Sequence, residues 1–176
     1  MEGEEWQGVK VVQGDALNPA VLRAALEDAD AVVVALGTRK NTDKTTLFSD
    51  VTRVLLGMDA ERPLRIPMVF ITGFGAGDSK RAAPWVVRLL LRFLLKDVYA
   101  DKSRMESLVE ASDWPWTIVR PGQLIDGPFS GDYRVETSFK RGMATRAISR
   151  ADVADYCVAQ CASQVHVRQH VGLFGD

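Results

Sequence analysis

Tyr99 and Lys102 have the composition of a proton-donating pair. A lysine cation beside a phenol lowers the phenol's pKa and readies it to protonate a substrate. Residues i and i+3 share a helix face, so the Y-x-x-K spacing allows the two to act together. A surface tyrosine beside a solvated lysine satisfies the same spacing. A second set, Cys157, Cys161, His166 and His170, has the residue types of a zinc site. Structural zinc requires four ligands converging on one tetrahedral point. Both cysteines fall inside a helix read over residues 150–162, and only four residues separate Cys161 from His166. Thiols on a helix face and surface histidines are therefore expected, and no metal is assigned. No Ser/His/Asp order points to a hydrolase triad on a nucleophile elbow.

The elements that must position these groups are buried strands. Ala31–Thr38, AVVVALGT, is an unbroken small or β-branched apolar run that closes on a glycine. Such a run reads as a strand covered on both faces, as in a parallel sheet wrapped by helices. Met68–Thr72 (MVFIT) and Trp116–Val119 (WTIV) repeat the pattern, ending at Gly73 and at Arg120-Pro121-Gly122. Val9–Val12 (VKVV), closed by Gly14-Asp15, is a shorter candidate, residues 133–137 an edge strand, and Val171–Phe174 a last strand. Between them lie helices. Asn18 precedes Pro19 as an N-cap; Leu47, Val51, Val54 and Leu55 share a side; Pro84 opens another helix; residues 99–112 turn Met105, Leu108 and Val109 inward; and Ser149 with Asp152 forms a capping box. Strand and helix alternate throughout, which predicts a doubly wound, mostly parallel α/β sheet. Gly14-Asp15, Gly37-Thr38, Thr72-Gly73 and Pro121-Gly122 then fall at strand ends on one side, where open α/β sheets bind ligands.

With 176 residues and a formal net charge of −1, one domain over residues 1–176 is expected, with no overall field toward nucleic acid. The acidic start MEGEEW has no secretory apolar core, and no apolar run is long enough to span a bilayer. Two cysteines in that setting suggest a reducing, cytoplasmic location. Val86–Lys96, VVRLLLRFLLK, places Arg88, Arg92 and Lys96 every four residues on an apolar helix. That pattern suits an anionic bilayer surface, but a core, lid or dimer-interface helix with one wet edge is the expectation preferred for a chain that is not basic overall.

Taken in order, GDALNPAVLRAAL, AVVVALGT, FITGFGAGDS, WTIVRPGQLIDGP and AISRADVADY resemble the atypical short-chain dehydrogenase/reductases. The closer likeness is to the NAD(P)H-binding, NmrA-like group that includes flavin reductase/biliverdin-IXβ reductase-like proteins, and it runs from about Val9 to the C-terminus. The resemblance implies a Rossmann-like fold, NADP or NAD as cofactor, and hydride transfer to a small flavin-like or carbonyl acceptor. It places Asp15 and Ala16 by the adenine, and Ala35, Leu36, Gly37 and Thr38 along the ribose and pyrophosphate. Pro121 and Gly122 would back the nicotinamide, with Gly73 on the same groove where related reductases often carry a serine. Arg39 would meet a phosphate, since a guanidinium fork suits phosphate oxygens, or else is a solvated loop arginine. Thr72, Tyr99 and Lys102 become the candidate catalytic groups, although the wider family spaces its pair Y-x-x-x-K.

The family's opening strand, G-x-x-G-x-x-G turn, helix and second strand have no counterpart ahead of Val9. That turn lets the backbone reach the pyrophosphate. The expected fold is therefore a Rossmann-like sheet truncated at its N-terminus. Three outcomes follow: a homo-oligomer or strand-complementing partner, a rearranged sheet, or a true start lying upstream. A non-catalytic NAD(P)-sensing or partner-binding protein is the rival functional expectation.

Overall fold

In the computed structural model, residues 8–38 and 42–176 are described. The elements follow in the order α1 (Pro19–Leu26), β1 (Val32–Val34), α2 (Leu47–Glu61), β2 (Met68–Ile71), a 3-10 turn (Gly77–Arg81), α3 (Trp85–Phe93), α4 (Lys96–Glu110), β3 (Trp116–Pro121), β4 (Leu124–Ile125), β5 (Tyr133–Glu136), β6 (Ile148–Ser149), α5 (Arg150–Ser163) and β7 (Gln169–Gly175). Among the described residues the main sheet has five strands in the order β1-β2-β3-β7-β5, with β4 and β6 paired separately. β1, β2, β3 and β7 are mutually parallel, and β5 closes the far edge antiparallel to β7.

Side chains alternate across a strand, so each central strand feeds two cores. Val34, Met68, Phe70, Trp116 and Ile118 face one way and pack with Phe48, Val51 and Leu55 of α2 and Val98, Met105 and Val109 of α4. Val69, Val119, Val171 and Leu173 face the other way, against Val153, Tyr156 and Cys157 of α5. Helices on both faces of a mostly parallel sheet are the Rossmann-like architecture foreseen from the apolar runs. The local signals also hold. Asn18 accepts the Ala20 N–H at the start of α1. Ser149 accepts the Asp152 N–H at 2.9 Å to start α5, while its own hydroxyl donates to Asp152.

The first expected strand needs correction. Val9–Val12 takes no regular secondary structure, and Val9, Val11 and Val12 are exposed. An extended run is stable only if its backbone groups find a neighbouring strand, and none of the described strands lies beside it. β1 is instead the sheet's outer strand on that side, with Val33 42 % exposed. The two segments do not pair directly, so Gly14-Asp15 is no strand end. It belongs to the turn into α1, where the Asn18 N–H donates to the Asp15 carbonyl and the Leu17 N–H to the Asp15 side chain.

Candidate functional site

The carboxyl ends of β1, β2 and β3 lie side by side because the strands are parallel neighbours. The Thr72 N–H donates to the Val119 carbonyl and the Phe74 N–H to the Pro121 carbonyl, each at 2.9 Å, which ties the two turns together. Above them opens a cavity of about 510 Å³, bordered by Thr72, Gly73, Tyr99, Lys102, Pro121 and Gly122. Its other wall is apolar and comes from Val87, Leu90 and Leu91 of α3 and Val98 of α4, with Leu95 between them; Arg150 also lines it. The structure thus gathers three catalytic candidates and three cofactor candidates into one space.

α4 supplies both members of the tyrosine–lysine pair. Tyr99 and Lys102 sit one turn apart, facing the β2 end. A Cβ built on Gly73 would lie 3.0 Å from the Tyr99 hydroxyl and 3.8 Å from the Lys102 Nζ. Both polar tips therefore reach the space that a side chain at residue 73 would fill. Lys102 donates to the Thr72 carbonyl at 2.6 Å and lies 5.2 Å from the centre of the Phe48 ring. Burial lowers its pKa to about 8, with Glu106 pulling it back upward. Burial raises the Tyr99 pKa, and the Glu106 charge raises it further. Both causes favour the protonated phenol over one ionised by the neighbouring lysine.

The Thr72 hydroxyl points away from the cavity. It is 3 % exposed and donates to Glu106 Oε1 at 2.7 Å. Glu106 also accepts from Arg120 at both oxygens, with Nε at 3.0 Å and Nη2 at 2.9 Å. Arg120 Nη1 donates to Asp78 at 2.5 Å. This buried group was missed in sequence. The available clue was an arginine inside the otherwise apolar WTIVRP strand, since a buried cation demands an acid opposite it. Glu106, Glu110 and His170 bring ligand atoms within 4.8 Å of one another. Arg120 already covers both Glu106 oxygens, and His170 Nε2 hydrogen-bonds Glu110 at 2.8 Å, so these atoms are engaged with protein partners as they stand. Of the cysteine–histidine set, Cys157 is buried and Cys161 half-buried on α5, both as free thiols. His166 Nδ1 hydrogen-bonds the Tyr156 hydroxyl at 2.8 Å.

The remaining cofactor candidates lie toward the β1 edge. Gly37 has open space where a Cβ would go, which leaves the backbone approachable there. Leu36 and Ala16 pack against the core of α2 and α4, and Asp15 holds the turn before α1. Arg39 lies outside the described residues. The nearby N-terminus of α2, a natural place for an anion, is already taken. Asp101 of α4, fully buried, accepts from the Phe48 N–H at 2.9 Å and from the Ser49 hydroxyl at 2.6 Å. Gly73, Pro121 and Gly122 are the cofactor candidates that border the cavity itself. No glycine-rich phosphate turn is present among the described residues.

A mostly parallel sheet with helices on both faces and a cavity off its strand ends defines a Rossmann-like dinucleotide-binding class. A family model described as NAD(P)H-binding matches residues 2–164, and the chain belongs to that family. The oxidoreductase ptaF of Pestalotiopsis fici is 31% identical over 124 residues, covering 66% of this chain and 48% of the relative. The chain thus spans about half the length of that curated relative. ChuY, an anaerobillin reductase from Escherichia coli O157:H7, has the same fold with a TM-score of 0.75 at 22% identity, over 96% of this chain and 76% of its own. A short-chain dehydrogenases/reductase from Veillonella parvula in complex with NADP matches with a TM-score of 0.73 at 16% identity, over 97% and 74%. Among the described residues no helix is long and apolar enough to cross a membrane.

Proposed function

We propose that this chain is an NAD(P)H-dependent reductase of a small flavin-like or carbonyl acceptor, working in the cavity between α3, α4 and the ends of β2 and β3. The observation that carries the reading is the convergence of Tyr99 and Lys102 on the side-chain position that Gly73 leaves vacant, beside Pro121 and Gly122. A bound nicotinamide would supply the hydride. Gly73, Pro121 and Gly122 form the wall against which that ring would lie, and the apolar side of α3 would cover a flat acceptor and exclude water. Lys102, fixed by the Thr72 carbonyl, holds a positive charge next to the reacting atoms. The Tyr99 phenol, kept protonated by its raised pKa, delivers the proton that completes reduction. Thr72 acts through its backbone, because its hydroxyl is committed to Glu106. NADP or NAD is the cofactor that the family resemblance implies, in a cytoplasmic setting where both thiols stay reduced.

Titration of the purified chain with NADPH and NADH by calorimetry, followed by turnover of a flavin acceptor, tests this. Micromolar binding is expected. Tyr99→Phe and Lys102→Met should each lower kcat about a hundredfold and leave cofactor affinity nearly unchanged. The α2 N-terminus, occupied by Asp101, favours the rival reading, a sensing or partner-binding protein. Micromolar binding without turnover would establish that one, and absent binding would remove the reductase.

A further inference from the structure

Helix α3 leaves much of its apolar surface exposed. Trp85 and Phe93 are each 71 % exposed, Val86 and Leu94 55 %, and Leu89 50 %, while only Leu91 of the helix is buried. The helix thus meets the body of the protein along one side only, through Leu91 and Val87. Val87, Leu90 and Leu91 do serve as one wall of the cavity, and the opposite side faces solvent. Contiguous apolar patches of this kind mark a surface that is covered in use.

What covers it is indicated by charge. From Ser79 to Lys96 the chain carries Lys80, Arg81, Arg88, Arg92 and Lys96 and no acid, although the whole chain has a net charge of −1. Four of these, Lys80, Arg88, Arg92 and Lys96, border one surface hollow of about 570 Å³ together with Trp85 and Leu89. None of the four has an ion-pair partner among the described residues. An apolar strip with an aromatic residue at each end and unpaired cations along one flank is the composition that lies in a lipid interface. A second copy of the chain fits less well. A two-fold contact would set the same cations against themselves with no acid on the patch to offset them.

We infer that α3 docks this protein onto an anionic bilayer surface, with Trp85, Leu89 and Phe93 entering the headgroup–acyl boundary and Arg88, Arg92, Lys80 and Lys96 contacting lipid phosphates. This docking does not depend on the chemistry assigned to the cavity.

The test is co-sedimentation of the full chain with vesicles of phosphatidylcholine and phosphatidylglycerol in equal parts, against vesicles of phosphatidylcholine alone. Binding is expected only to the anionic vesicles and should weaken as salt rises. Arg88→Ala with Arg92→Ala should lower the affinity about twenty-five-fold, at about fivefold for each cation near the surface. Leu89→Ser with Phe93→Ser should abolish it while leaving the far-UV circular dichroism unchanged, since both side chains are already exposed. Trp85 emission should shift to the blue on vesicles, and that shift should vanish in Trp85→Phe. The inference is overturned if no vesicle binding occurs at low salt. It also fails if binding survives Leu89→Ser with Phe93→Ser, because a purely electrostatic contact would serve an acidic polypeptide equally well. A concentration-dependent dimer in sedimentation velocity that those two substitutions disperse would show a second copy on the face instead.

Discussion

Replacing Glu106 by glutamine tests whether the buried ion pair under the site acts as one unit. Glu106 and Arg120 side chains are each 1 % exposed, and Glu106 receives three hydrogen bonds, two from Arg120 and one from Thr72. Glu106→Gln keeps the shape but removes the charge, leaving a buried guanidinium whose other carboxylate, Asp78, is 74 % exposed. Breaking a buried pair by removing one partner costs about 3–5 kcal/mol, because the remaining charge stays desolvated. For a chain of 176 residues, each kcal/mol moves Tm by about 2–4 °C, so a fall of about 6–20 °C is expected. Arg120→Met should cost a similar amount. The double variant should cost far less than the sum, since removing both charges also removes the desolvation of each. Equilibrium urea unfolding of the four proteins gives the cycle directly. Single costs below about 1 kcal/mol, or a double that equals the sum, would refute the idea that burial sets the strength of this pair.

Further outcomes follow from the same site and from the last helix. Lys102 has a folded-state pKa of about 8, below its ordinary value of 10.5, so between those values the unfolded chain binds the extra proton and stability rises with pH. Turnover runs the opposite way and should fall as pH rises through about 8, a limb that a kcat–pH profile reads and that Glu106→Gln should move to lower pH. Ser149→Ala removes the cap of α5 and should cost about 1 kcal/mol in denaturant unfolding. It should also release Asp152, which the Ser149 hydroxyl above all holds at about 2, toward ordinary carboxylate values in a carbon-detected NMR titration.

How much of this was legible in the sequence depended on the range of the interaction. Asn18, Ser149 with Asp152, and the three glycine- or proline-closed apolar runs act within a few residues of themselves, and their reading survived folding. Val9–Val12 did not, because a strand is defined by its neighbour and VKVV carries no information about whether one is there. The Glu106–Arg120 pair joins α4 to β3, and its strength comes from burial that neither residue type discloses alone. Asp101 is a similar case. On α4 it reads as one polar residue among many, and only the fold places it on the Phe48 and Ser49 N–H groups at the start of α2.

Gly73 shows how a single position can change meaning between the two levels. Against a family that often has a serine there, a glycine reads as a lost hydroxyl and weakens the case for catalysis. In the folded chain the same absence of a side chain admits the Tyr99 hydroxyl to within 3.0 Å of where a Cβ would stand. A serine at residue 73 and a tyrosine at residue 99 would compete for one volume, so the Y-x-x-K spacing and the glycine are best understood together. Gly73→Ser should displace the phenol rather than restore a donor. A rise in turnover on that substitution would mean that Tyr99 had only been filling space.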